Sequence, residues 1–194
     1  MLKGVGNRNL NIMFGDFCYF NRHTLHERYT PLGIGLIGQY TKQQFGEDVE
    51  VSLFKSVDKF LEKSAEKAPD VIGLSVYYWN MAQNQYVVSR IREMYGKNVL
   101  VVLGGPSIDN EIKEQHKFLS TVFPTADAVI INEGEIGFTN IIRKVFDNRD
   151  NLFKEAIDGI SFLNGDEVIQ GHAVGTNIDL STVASPYLSG LMDE

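Results

Sequence analysis

Residues 70–106 read DVIGLSVYYWNMAQNQYVVSRIREMYGKNVLVVLGGP, and this stretch decides the fold. Residues 71–76 are almost continuously apolar, as a strand buried on both faces must be. Residues 81–95 follow with apolar positions at helical spacing, and Tyr86, Val87, Ile91 and Met94 are expected to point inward. Residues 99–103 form a second strand-length apolar run, closed by Gly104, Gly105 and Pro106. Strand, helix and strand in 37 residues make a βαβ unit. Its two strands are parallel, and their C-terminal ends open on the same side of the sheet.

The same plan repeats outward. Residues 11–14 (NIMF) predict a first strand, ended by Gly15 and Asp16. A long segment, 16–30, precedes a helix opened by Pro31, and long loops in compact domains are often functional. Gly33, Gly35 and Gly38 disfavour that helix but suit close approach to the sheet or a ligand. Strands are expected over 49–53 and 126–131, and helices over 57–67, 108–121 and 136–146. Five strands alternating with five helices predict an α/β, doubly wound, flavodoxin-like (Rossmann-like) parallel five-stranded sheet with helices on both faces. Beyond residue 150, ISFL, then Asn164-Gly165-Asp166, then EVI predict a C-terminal β-hairpin extension, with the Asn-Gly pair as the turn. The domain reading is therefore 1–150 for the α/β domain, 151–178 for the hairpin extension and 179–194 for a linker. The linker carries apolar Leu180, Val183, Tyr187, Leu188 and Leu191, which are unusual in a segment meant for water.

Composition narrows the function. The 194 residues carry a net charge of -7 and no basic patch interleaved with aromatics, which does not favour nucleic acid. No run approaches the roughly eighteen apolar residues of a membrane span, and no signal peptide is evident. Cys18 is the single cysteine, so neither a disulfide framework nor a thiolate metal cluster forms within the chain. A cytoplasmic setting is expected.

Ligands of open α/β sheets bind at the C-terminal strand ends. Here those ends are Gly15-Asp16, Ser75 to Asn80, Gly104 to Ser107, and Asn132 to Glu135. Gly104-Gly105 reads either as a tight turn before a proline-led helix or as a place where a bulky ligand meets bare backbone. Tyr77, Tyr78 and Trp79 cannot all be core, because neighbouring strand residues point oppositely. Asn80 fits a helix N-cap better than a ligand contact. Glu133 and Glu135 suit acid–base work or the positive end of a helix, and the second is the better structural reading. His23 and His26 form a weak metal pair, whereas His116 and His172 read as surface groups. No G-x-G-x-x-G directly follows the first strand and no P-loop occurs, which leaves nucleotide or flavin chemistry with little support.

Taken together, PLGIGL at 31–36, VIGLSV at 71–76, VVLGGP at 101–106 and FPTADAVIINEGE at 123–135 resemble the N-terminal cobalamin (B12)-binding domain of B12-dependent radical S-adenosylmethionine proteins. In the last segment Asn132 replaces the first glycine of a G-E-G-E-like motif. IDGISFLNGD at 157–166 and SPYLSG at 185–190 resemble what precedes the radical domain. The resemblance implies a corrinoid over the C-terminal edge of the sheet. Ser75, Val76 and Tyr77, with Gly104, Gly105 and Pro106, would receive its nucleotide tail. Glu133, Gly134 and Glu135 would lie near the corrin rim, and Gly33 beside the cleft. Two departures stand out. The D-x-H-x-x-G motif that supplies an axial histidine is missing from GDFCYF, so the lower face would lack a protein imidazole. The C-x-x-x-C-x-x-C cluster motif is absent too, so S-adenosylmethionine and [4Fe-4S] would belong to a radical domain of a longer parent polypeptide.

The expected function is thus a cobalamin-binding module of a methyltransferase or cyclase, truncated before the iron–sulfur domain and not catalytic alone. The alternatives are a cofactor-free structural or partner-binding module, with YYW filling the cleft, and a nucleotide- or flavin-binding enzyme domain. The apolar residues of the tail also point to a homodimer when no neighbouring domain covers them.

Overall fold

Successive residues of a strand face opposite sides of its sheet, and the first strand shows the consequence. In β1, Leu10–Gly15, the side chains of Leu10, Ile12 and Phe14 join one apolar cluster while Met13 joins another. The computed structural model describes residues 9–18, 20–21, 24–25, 30–174 and 180–192. A two-residue pair, β2 (Phe20–Asn21) with β3 (Thr24–Leu25), follows β1. The chain then alternates through α1 (Leu32–Phe45), β4 (Val49–Phe54), α2 (Val57–Glu66), β5 (Val71–Ser75), α3 (Met81–Tyr95), β6 (Leu100–Gly104), α4 (Ile112–Lys117), β7 (Ala128–Ile130) and α5 (Gly134–Asn148). A hairpin of β8 (Ile160–Asn164) and β9 (Glu167–Gln170) completes the sheet.

The strand order is β4-β1-β5-β6-β7-β8-β9. The first five pair in parallel in the flavodoxin-type order expected from the sequence. The hairpin joins antiparallel at the β7 side, so it extends the sheet edge. One apolar cluster lies between the sheet and α1 and α5, with Ile34, Phe138, Ile141 and Ile142. The other lies under α2, α3 and α4, with Phe60, Val87, Val88, Ile91 and Phe118. Residues alternating across β5, β6 and β7 feed the two clusters in turn, which is why these strands read as continuous apolar runs.

Several local expectations are corrected. Val87 and Ile91 of α3 are buried as expected, but Tyr86 and Met94 are exposed, and Val88 and Asn84 take the inward positions. The segment after Pro106 is not yet helix. Ile108 N–H donates to Gly105 O at 3.2 Å, which makes a turn, and α4 begins only at Ile112 before running into a π-type turn, Phe118–Val122. Pro31 is the residue before α1, and its carbonyl accepts the first helical bond from Gly35 N–H. In the hairpin Asn164 still pairs with Glu167, so the turn residues are Gly165 and Asp166, with Gly165 at φ 63°.

The C-terminal segment lies against α1. Gln43 bonds Thr182 O and Ala184 N, at 3.2 and 3.1 Å, and Leu191 packs on the α1-side cluster. Gly38 closely approaches Val51, as a helix glycine facing the sheet should, and Gly35 faces Pro186 and Met192.

Candidate corrinoid cleft at the strand ends

The β1 and β4 strands keep pairing past their ends. Asp16 N–H donates to Phe54 O at 2.9 Å, and Cys18 N–H to Lys55 O at 3.1 Å. This carries Asp16, Phe17 and Cys18 up to the start of α1. Across from them, β5 ends at Ser75 and its continuation brings Tyr77, Tyr78 and Trp79 over the same edge. Between the two lies a cleft of about 520 Å³ lined by Asp16, Phe17, Cys18, Thr30, Leu32, Gly33, Lys55, Tyr77, Tyr78 and Trp79.

The aromatic run lines this cleft and does not fill it. Tyr77 stacks on Trp79 with ring centroids 4.3 Å apart, and Tyr78 meets Trp79 edge-on at 4.8 Å. Tyr78 is 80% exposed and Trp79 43%. An exposed aromatic shelf beside an open space is suited to a large flat ligand. Asp16 sits at the base. Burial pushes its carboxyl up to about 6, and the nearby Lys55 ammonium offsets part of that rise.

The sequence-derived site residues are divided between this cleft and the rest of the same edge. Gly33 and Tyr77 line the cleft. A side chain at Gly33 would meet nothing within 4 Å, so the backbone there is bare. Ser75 pairs with Gly104 in the sheet register, and Val76, fully buried, accepts Gly104 and Ser107 as partners through its own N–H and carbonyl. Gly104 is nearly open, with Ile130 its nearest neighbour at 3.8 Å. Gly105 has φ 107°, and a Cβ there would lie 2.7 Å from Val76 N, so this glycine is required by the turn itself. Pro106 is exposed beside it.

Further along, Glu133 is exposed and Gly134 contacts Ile37 of α1. Glu135 is buried in the first turn of α5; desolvation raises its pKa, its own backbone N–H opposes that, and Glu133 adds to it. Glu135 therefore faces into the fold and not the cleft. Asn132, the glycine replacement noted in the sequence, has φ 62°, a left-handed geometry that asparagine tolerates better than other side chains, and Asn110 donates to its Oδ1 at 2.7 Å.

Asn80 occupies the N-cap position of α3, but its side chain does not cap the helix and is fully buried. Lys55 and Leu32 were missed in the sequence. The strand-end rule finds Lys55 once the end of β4 is included, whereas nothing local distinguishes Leu32. His23 and His26 lie outside the described residues. Among the described residues no group of three or more His, Cys, Asp or Glu could hold a metal ion, and no helix is long and apolar enough to cross a membrane.

The profile of the B12 binding domain matches residues 20–142. The chain belongs to that family. This B12-binding domain is 30% identical over 175 residues to the cobalamin-dependent radical SAM methyltransferase TokK of Streptomyces tokunonensis, covering 85% of this chain and 24% of TokK. It is 30% identical over 171 residues to a 2-(S-pantetheinyl)-carbapenam-3-carboxylate methyltransferase of Streptantibioticus cattleyicolor, with the same two shares. The chain thus spans about a quarter of the length of these relatives. A crystal structure of a cobalamin-binding protein from Desulfitobacterium hafniense superposes with a TM-score of 0.49 at 17% identity, over 71% of this chain and 59% of that one.

The residues of this B12-binding domain fit a corrinoid. A tetrapyrrole-sized ring needs an apolar shelf and bare backbone, and the stacked Tyr77 and Trp79 with Gly33 and Gly104 supply both. Its amide arms need hydrogen-bonding groups, and Asp16, Thr30, Lys55 and Glu133 lie along the same edge.

Proposed function

We propose that this chain carries a corrinoid for a larger cobalamin-dependent radical SAM enzyme of the methyltransferase type, with a cyclase as the second possibility. The observation that carries this reading is the open cleft with an exposed Tyr77–Trp79 shelf, at the strand ends of a chain that belongs to the B12 binding domain family. The identity to two methyltransferases supports the reaction class.

When bound, a corrinoid supplies alkyl transfer or electron exchange at its cobalt. The chain's own residues bind and orient. Tyr77 and Trp79 present a flat apolar face, Gly33 and Gly104 leave room for close approach, and Ser75 offers a hydroxyl beside Gly105. Asp16 offers a carboxyl that takes up a proton near pH 6, so it can donate or accept a hydrogen bond in the physiological range. S-adenosylmethionine and an iron–sulfur cluster would belong to a radical domain of the same polypeptide, because Cys18 is this chain's single cysteine.

Trp79 is the single tryptophan and lies on the cleft wall, which gives a direct test. Titrating hydroxocobalamin into the chain should quench Trp79 emission to saturation, after correction for corrin absorbance with free tryptophan. Quenching no greater than that of free tryptophan would count against the proposal.

A further inference from the structure

Asn80 lies buried where the two walls of the cleft meet. Its Nδ2 donates to Ser75 O at 3.0 Å and to Phe17 O at 3.4 Å. Its Oδ1 accepts from Tyr77 N–H and from Asn84 Nδ2, both at 2.8 Å. An amide has two N–H donors and two acceptor lone pairs, so Asn80 is fully satisfied by these four bonds. Each bond reaches a different piece of the site. Phe17 belongs to the segment leaving β1, Ser75 ends β5, Tyr77 begins the aromatic shelf, and Asn84 lies on α3.

Two neighbours reinforce the arrangement. Asn84 Nδ2 also donates to Ser75 O at 3.1 Å, and Gln83 Nε2 donates to Cys18 O at 2.7 Å. Three side-chain amides at the start of α3, those of Asn80, Gln83 and Asn84, therefore hold the backbone of both walls. An asparagine serving only its helix would turn its oxygen to the N–H of Ala82 or Gln83. That of Asn80 turns to the cleft instead, and α3 goes without a side-chain cap. Aspartate could not replace it, since a carboxylate has no N–H for Phe17 O and Ser75 O.

We infer that Asn80 is the positioning residue of the cleft: it holds the Phe17–Cys18 wall in register with the Tyr77–Trp79 wall and thereby sets corrinoid affinity. This rests on the corrinoid reading above, and it reaches the ligand only through Phe17, Ser75 and Tyr77.

The test compares Asn80→Ala with Asn11→Ala. Asn11 is also buried and donates to two backbone carbonyls, Lys67 O and Ala68 O, but at the opposite end of β1. Both variants should lose thermal stability. Only Asn80→Ala should bind hydroxocobalamin about tenfold or more weakly, the scale of one lost buried hydrogen bond. Only Asn80→Ala should shift the emission of Trp79 to longer wavelength in the folded, ligand-free chain. If Asn80→Ala fails to fold, Gln83→Ala removes just the tie to Cys18 O from a half-buried side chain, and it should weaken binding in the same direction. Wild-type affinity and an unchanged Trp79 spectrum in Asn80→Ala, or in Gln83→Ala in its place, would overturn the inference. Failure of the wild-type chain to bind would instead overturn the corrinoid reading, and the Trp79 spectrum would still decide the positioning role.

Discussion

Replacing Asp16 by asparagine should make the ligand-free protein more stable at neutral pH. The carboxyl is held at the base of the cleft, where burial moves its titration from 3.8 to about 6. The folded state therefore keeps a proton that the unfolded chain has already released, and wild-type stability falls as pH rises from about 4 through about 6. Above that window the full shift corresponds to about 3 kcal/mol, at roughly 1.4 kcal/mol per pH unit. Water reaches this half-buried group, so we expect Asp16→Asn to gain about 1–2 kcal/mol at pH 7.5. At pH 4.5 the folded group is protonated and the unfolded one is only partly ionised, so the gain should shrink to roughly a third, about 0.3–0.7 kcal/mol. Urea unfolding of both proteins at the two pH values measures this directly. A gain that is equal at both pH values, or a loss of stability at pH 7.5, would refute the account of Asp16 as a desolvated carboxyl. A charge kept at such a cost fits a group retained for binding rather than for the fold.

Other substitutions separate fold from ligand approach. Gly104→Ala should change stability by less than about 0.5 kcal/mol, since its nearest neighbour would be 3.8 Å away, yet it should weaken hydroxocobalamin binding if the ligand passes over that backbone. Gly33→Ala should leave the fold intact or stabilise it by up to about 1 kcal/mol, while crowding the cleft; thermal melts and ligand titration read both effects. Gly105→Ala should lose about 2–3 kcal/mol in urea unfolding, because its backbone is left-handed and the new methyl would lie 2.7 Å from Val76 N. Glu135→Gln should stabilise the protein at pH 7.5, with the gain fading in acid, since burial raises the pKa of that carboxyl.

The central strands were legible because they are buried on both faces, so Val71–Ser75, Leu100–Gly104 and Ala128–Ile130 stand out as apolar runs, whereas the edge strand Val49–Phe54 shows as an alternation. The alternation with helices does not itself set the strand order; the flavodoxin-type order is the default for five parallel strands, and the five parallel strands adopt it. The hairpin was legible too, displaced by one residue because Gly165, not Asn164, takes the left-handed position. What escaped depends on tertiary contacts. Tyr86 and Met94 share the spacing of core residues, but α3 turns Val88 and Asn84 inward instead. Asn80 resembles a cap in sequence, and only the approach of Phe17, from 63 positions away, gives its amide another use. Lys55 enters the cleft because β4 pairs with β1 beyond the strand ends.

The central claim is that this cleft holds a corrinoid. The most direct measurement is to incubate the purified chain with hydroxocobalamin, remove unbound ligand by desalting, and record the corrin absorbance of the protein fraction. The account expects corrin absorbance approaching one equivalent per chain, and a marked loss of it in Gly104→Ala. A colourless protein fraction at a concentration where free hydroxocobalamin is plainly visible, from a chain shown by circular dichroism to be folded, would contradict it.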